Sequence, residues 1–357
     1  MRLDSTYALA PIEVATVHRM LGECERTDSI GRQLLASGRP LAAFDRAFLD
    51  GQLAACRGDP QGMHRSALEQ VRLAPQSVNA AYSLFHGLLA LNRPVAAAAA
   101  LEPFSFDRAA AELGPSMFAA WAIDLHVIGR DARALEVARA GIARFPDQRR
   151  LWFVEQLALA GQRRAPEVIE GLRRSLARRT GPMDLNVALI PIAIDLRIHV
   201  DTAANTAFAL LDSALDAAPA VERASADYRR ARAELDYVQG RWARAHDQFV
   251  TLADHPRWSI DAHGHLGALA ARSGDRASAE RELAWLARIP PTRTVAPLTW
   301  RVRINALLGE RTRAVELMTE AVRFSPQLFI TALMHSRADL DALRGDPAFE
   351  AIVRPRG

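Results

Sequence analysis

Leu266-Gly267-Ala268-Leu269-Ala270-Ala271-Arg272-Ser273-Gly274-Asp275-Arg276-Ala277-Ser278-Ala279-Glu280 decides the fold. It reads as a helix that ends at Gly274, a tight turn, and a second helix whose small residue Ala279 faces the first. Leu283 and Leu286 continue the second helix at helical spacing, and Pro290-Pro291 stops it. The unit recurs. Gly240 stands one interval earlier, with Ala245 and Phe249 at the offsets of Ala279 and Leu283. Gly309 stands one interval later, followed by Ala314 and Met318, and Pro326 closes that copy. The near-equal steps from Gly240 to Gly274 to Gly309 are the mark of stacked helical hairpins.

Working outward, Gly58 anchors a further copy with Met63, Ala67, Val71 and Pro75, and Asn92 follows at the same interval with Ala97 and Leu101. The next unit comes after a slightly longer step and is regular: Trp121, Leu125, Gly129, Ala134, Ala138, Ile142 and Pro146. Its extra length places a loop around Pro103 to Phe106. Leu151 to Ala160 reads as a helix ended by Gly161 and answered by Val168, Leu172 and Leu176. Residues 178–182 form a break, and Val187 to Val200 with Ala203 to Ala217 make another hairpin. The pattern predicts an all-α solenoid of about eight hairpins, wound as a right-handed superhelix. Residues 1–43 read as an N-terminal helical remnant or cap, 44–326 as the solenoid, and 327–357 as capping helices and tail. Within that tail, residues 328–337 suit a last helix, and Asp346-Pro347 supplies an N-cap and first-turn proline. The chain starts abruptly, because residues 1–5 resemble an inter-repeat boundary; a longer relative with something upstream is one reading of this.

Composition narrows the classes. Of 357 residues, half are hydrophobic but 6% are aromatic, which suits closely packed alanine-rich helices. The 45 basic residues are all arginine, interspersed with 41 acidic ones, so the net charge of +4 has no basic block behind it. Nucleic-acid binding is not expected. The arginines are spread over all the helices, which points to a GC-rich coding bias. Cys24 and Cys56 are too few for a disulfide framework or a zinc site, so a reducing, cytoplasmic setting is expected. Residues Met1 to Tyr7 lack the apolar core of a signal peptide, and the longest apolar run, Val187 to Ile194, contains Pro191 and is far too short for a membrane span.

The turn glycine, the small residue on the second helix and the closing proline resemble tetratricopeptide repeats over roughly residues 40 to 326. The residues that carry the resemblance are Trp121, Leu125, Gly129, Ala134, Ala138 and Pro146, and Leu266, Gly267, Ala270, Gly274, Ala279 and Leu283. The ending Leu343 to Gly357 is similar to the close of repeat regions in large bacterial regulators, which follow a winged-helix or serine/threonine kinase domain. What this implies is a scaffold that binds a protein or peptide in its concave groove. The alternative is the sensing module of such a regulator without its effector. By the family's geometry, the inner face would carry Asn79, Tyr82, His86, His126, Arg150, Arg230, Glu234, Tyr237, Asp261, His265 and Arg303. That set departs from the Lys/Asn/Arg clamp with which some relatives hold a peptide's terminal carboxylate.

No catalytic constellation emerges: there is no phosphate-cradling loop, nucleophile elbow or His-Glu-x-x-His. His263 and His265 could suggest a metal, but on a helix they point about 200° apart. Pairing Cys24 with His18, or Cys56 with His64, as nucleophile and base lacks a third orienting group. The reading therefore expects no enzyme, cofactor or metal, and Trp121, Trp152, Trp242, Trp285, Trp300, Tyr82 and Phe249 go mostly to the core.

Overall fold

The computed structural model describes residues 9–38, 40–178, 189–291, 294–324 and 338–354. The boundary-like start at residues 1–5, the break at 179–182, Pro326 and the helix expected over 328–337 lie outside them. Within the described residues every regular element is helical, and no helix is long and apolar enough to cross a membrane.

Helices α1 (Leu9–Met20) and α2 (Cys24–Ala36) form the first hairpin, followed by α3 (Ala43–Cys56) with α4 (Pro60–Leu73) and α5 (Val78–Ala90) with α6 (Pro94–Leu101). A short α7 (Phe106–Leu113) precedes α8 (Pro115–Val127) with α9 (Asp131–Arg144) and α10 (Arg149–Gly161) with α11 (Ala165–Arg178). Then come α12 (Ile190–His199) with α13 (Asp201–Asp216), the single turn α14 (Ala220–Arg223), and α15 (Ala226–Val238) with α16 (Trp242–Val250). The last pairs are α17 (Ser259–Arg272) with α18 (Arg276–Ala287) and α19 (Ala296–Leu307) with α20 (Arg311–Phe324). A 3-10 helix (Ala338–Leu343) and α21 (Pro347–Val353) finish the chain.

The turns explain the period. At Gly22, Gly58, Asn92, Gly129, Arg163, Gly240, Gly274 and Gly309 the backbone takes the left-handed conformation. After each, the next amide donates to the carbonyl five residues back, as in Asp275 N to Ala270 O at 2.9 Å and Glu310 N to Asn305 O at 2.9 Å. This is the Schellman end of a helix. Gly22 makes α1 and α2 a complete hairpin of the same type, one more than the spacing alone suggested.

Two local expectations are corrected, and the loop around Pro103 to Phe106 is found but ends one residue early. The turn after α10 is at Arg163, with φ 58°, and Gly161 stays helical. Glycine stands at 161 because a Cβ there would collide with the Asp131 carboxylate. The loop around Pro103 to Phe106 gives way at once to α7, since Ser105 accepts the Arg108 amide as its N-cap. Cys24 and Cys56 are joined in a disulfide that ties α2 to α3 with their Cα atoms 5.3 Å apart. That removes one ground for a reducing, cytoplasmic setting.

The small residues meet their expected fate: Ala97, Ala134, Ala138, Ala245, Ala279 and Ala314 are fully buried where helices touch. Successive first helices pack on one another, as α8 and α12 both do on α10 and α19 does on α17. Among the described second helices such packing is sparser. The tail packs on the final hairpin, where Leu340, Leu343, Phe349 and Val353 share a core with Leu298, Val302, Leu317 and Met318. An apolar end is thereby covered, as a stacked array requires.

Candidate functional site

Side chains on the first helices meet in two polar clusters, one near each half of the array. The larger is organised by Asp339, in the 3-10 helix of the tail and 3% exposed. Tyr237 donates its hydroxyl to Asp339 Oδ1 at 2.8 Å, Arg272 donates to the same oxygen at 2.5 Å, and Arg303 Nε donates to Oδ2 at 2.6 Å. The Arg303 guanidinium lies 3.6 Å from the Trp300 ring centroid, and Arg272 lies over Trp242 at 5.4 Å. Burial alone would raise the Asp339 carboxyl, but Arg303 and Arg272 outweigh it and hold the group well below the ordinary carboxylate range. Burial and the Asp339 charge together push the Tyr237 hydroxyl up to about 12.

Next to this pocket, His265 is 1% exposed, stacked on Phe249 at 4.0 Å and packed against Trp300. Its Nδ1 donates to the Asp261 carbonyl at 2.8 Å, and its Nε2 lies 3.0 Å from a Glu234 carboxylate oxygen. Arg230 reaches Asp261 at 3.1 Å and Glu234 at 3.6 Å. Arg230, Glu234 and Asp261, three of the expected inner-face residues, are thus paired within the chain. His263 goes elsewhere, stacking on Trp285 at 3.6 Å with Nδ1 2.5 Å from Glu282. Gly264 between them lets the Trp300 ring come close, since a Cβ there would collide with it.

The second cluster centres on His126, near the end of α8. Its Nδ1 is 2.6 Å from Asp131 Oδ1, and its Nε2 is 3.4 Å from Asp195 Oδ1 on α12. His199, one helical turn beyond Asp195, places Nε2 3.8 Å from the same oxygen. Burial works against a charged His126, but hydrogen bonds to Asp131 and Asp195 outweigh it and raise the imidazole to about 9.

The remaining expected residues are spread out. Asn79 and Arg150 are exposed, while Tyr82 and His86 pack edge to face at 4.5 Å and are half-buried. Burial and the nearby Arg19 charge lower His86 to about 4. A cleft of about 440 Å³ lies beside Pro103 and Phe104, lined also by Val71 and Leu84. The cysteine–histidine pairings do not form: both sulfurs are in the disulfide, and His18 bonds Glu23 at 2.6 Å.

Sequence reasoning missed Asp131, Asp195, His199, Arg272 and Asp339. Most of their partners are remote along the chain, as Asp195 is from His126 and Asp339 is from Arg272 and Arg303. His126 with Asp131 and Asp195 with His199 are the near pairs, and neither spacing is distinctive. One further contact joins residues 260 positions apart. Asn92, at its left-handed turn, donates its amide to the carbonyls of Ile352 at 2.8 Å and Arg354 at 2.9 Å.

No protein-family model matches the sequence, and no curated protein matches it. Among solved structures, the chain is similar to a tetratricopeptide repeat protein from Parabacteroides merdae ATCC 43184. That match has 13% identity and a TM-score of 0.39, covering 82% of this chain and 98% of the other. It is also similar to a chain of the structure of Naa15/Naa10 bound to HypK-THB, at 12% identity and a TM-score of 0.35, covering 93% of this chain and 56% of that one. Its own hairpins, turns and buried small residues make the chain a tetratricopeptide-repeat-like helical array.

Proposed function

We propose that the chain is a non-catalytic scaffold that binds a protein or peptide along its first-helix face. The observation that supports this is the way the face treats residues 338–354 of its own chain. Tyr237, Arg272 and Arg303 on the first helices converge on one side-chain carboxylate, and Asn92, at the turn beside that face, donates to two main-chain carbonyls. Contacts of this kind suit a repeat surface that holds a short helical segment of polypeptide. The partner class that suits this chemistry is a short turn presenting an acidic side chain.

Within the proposed surface, the exposed Asn79 and Arg150 would make direct contacts, joined by the half-buried Tyr82, His86, His126, Arg230 and Asp261. Glu234, Tyr237, His265 and Arg303 are buried and would shape the surface from beneath. The test is affinity capture with purified chain as bait, comparing the wild type with N79A/R150A and R230A/E234A. A specific partner should be retained by the wild type and lost from N79A/R150A. Equal retention by both double variants would sink this choice of surface. Reduced helical circular dichroism in R230A/E234A would assign that pair to structure.

A further inference from the structure

We propose that His126, Asp195 and His199 form a binding site for a divalent transition-metal ion that staples two non-adjacent hairpins. Asp195 and His199 are four apart on α12, so their side chains share one face. His126 reaches them from α8, across α10, which packs against both helices. Their donor atoms all lie within 4.8 Å of one another, with His126 Nε2 to Asp195 Oδ1 at 3.4 Å and His199 Nε2 to the same oxygen at 3.8 Å. Ligands about 2.0–2.2 Å from a tetrahedral ion sit roughly 3.4 Å apart, so the set closes around an ion with small rotamer adjustments.

The surroundings are those of a metal ligand set. Asp131 holds His126 Nδ1 at 2.6 Å, which leaves Nε2 to face Asp195 and His199. A carboxylate behind a ligating imidazole is the usual way its orientation is fixed. The approach of Asp131 is itself built in, because glycine at 161 leaves the space its carboxylate fills and Gln162 donates to its carbonyl at 3.1 Å. Asp195 Oδ2 is buried without a hydrogen-bond partner among the described residues. In a chain with 45 basic residues, all arginine, the described ion-pair partners of Asp131 and Asp195 are histidines. The arginines that neutralise Asp339 have no counterpart among them, and a dication would take their place. Two imidazoles and one carboxylate select zinc, cobalt, nickel or ferrous iron over magnesium or calcium. Three protein ligands leave a fourth position for water.

The experiment titrates chelator-treated chain with Zn²⁺ by calorimetry and with Co²⁺ by visible absorption. One equivalent should bind, Zn²⁺ should raise the melting temperature, and Co²⁺ should shift the His126 and His199 ring protons in the wild-type NMR spectrum. H199A and D195N should each weaken binding at least tenfold while keeping helical circular dichroism, and H263A should bind as the wild type does. Folded wild type that takes up no ion would overturn the proposal, since a histidine merely paired with two carboxylates behaves that way. Equal uptake by H199A and D195N, or Co²⁺ shifts confined to other histidines, would also overturn it.

Discussion

Asp339 shows how a single carboxylate can be made obligatory by its neighbours. Two arginines and a tyrosine are pointed at it, and Arg303 is 5% exposed, so at Arg303 water cannot replace what Asp339 offers. Breaking a buried pair by removing one partner costs about 3–5 kcal/mol. D339A should therefore lower unfolding stability by that order in a urea titration. The sign with pH follows from the depressed carboxyl. Its contribution is fully present above about pH 4, the ordinary unfolded value, and fades as the pH falls below it. D339N should show a flatter acid limb than the wild type. His86 acts over a higher window. It is held to about 4 when folded, so between roughly pH 6.5 and 4 the unfolded chain binds a proton that the folded chain refuses. Stability should fall as pH drops through that window, and H86Q should remove the slope.

At the scale of the element, the hairpin was written in the sequence because its determinants are local. A left-handed residue, a buried alanine five residues on and a packed apolar residue at nine recur as Gly240, Ala245 and Phe249 and as Gly309, Ala314 and Met318. Arg163 hid its turn because arginine carries no signal for that backbone, while Gly161 imitated one and in fact makes room for a neighbour's carboxylate. What depends on register between hairpins was not legible. Cys24 and Cys56 are separated by 32 positions, and nothing in that spacing says that α2 and α3 bring them together. Closing a loop of this length stabilises by roughly 3–4 kcal/mol in the chain-entropy picture. C24S/C56S should lower the melting temperature, with hydrogen exchange rising first in α1 to α3. The site residues divide the same way: that they stand on the first helices was readable from the repeat spacing, but the partners of His126 and Arg303 were not.

Across the whole molecule, Asn92 joins the third hairpin to the last turn of the tail. Asn92 also tolerates the left-handed backbone there, so N92G keeps the turn and removes the two amide contacts. The variant should lose about 1–2 kcal/mol and show faster hydrogen exchange in Pro347–Val353 with little change in α5 and α6. An open array of hairpins can gain or lose a unit at little cost, because each unit answers to its neighbours alone. This chain has given up that freedom. A whole hairpin duplicated or deleted between Asn92 and Gly309 would carry the tail away from its anchor, so the number of hairpins is heritable here only as a fixed count.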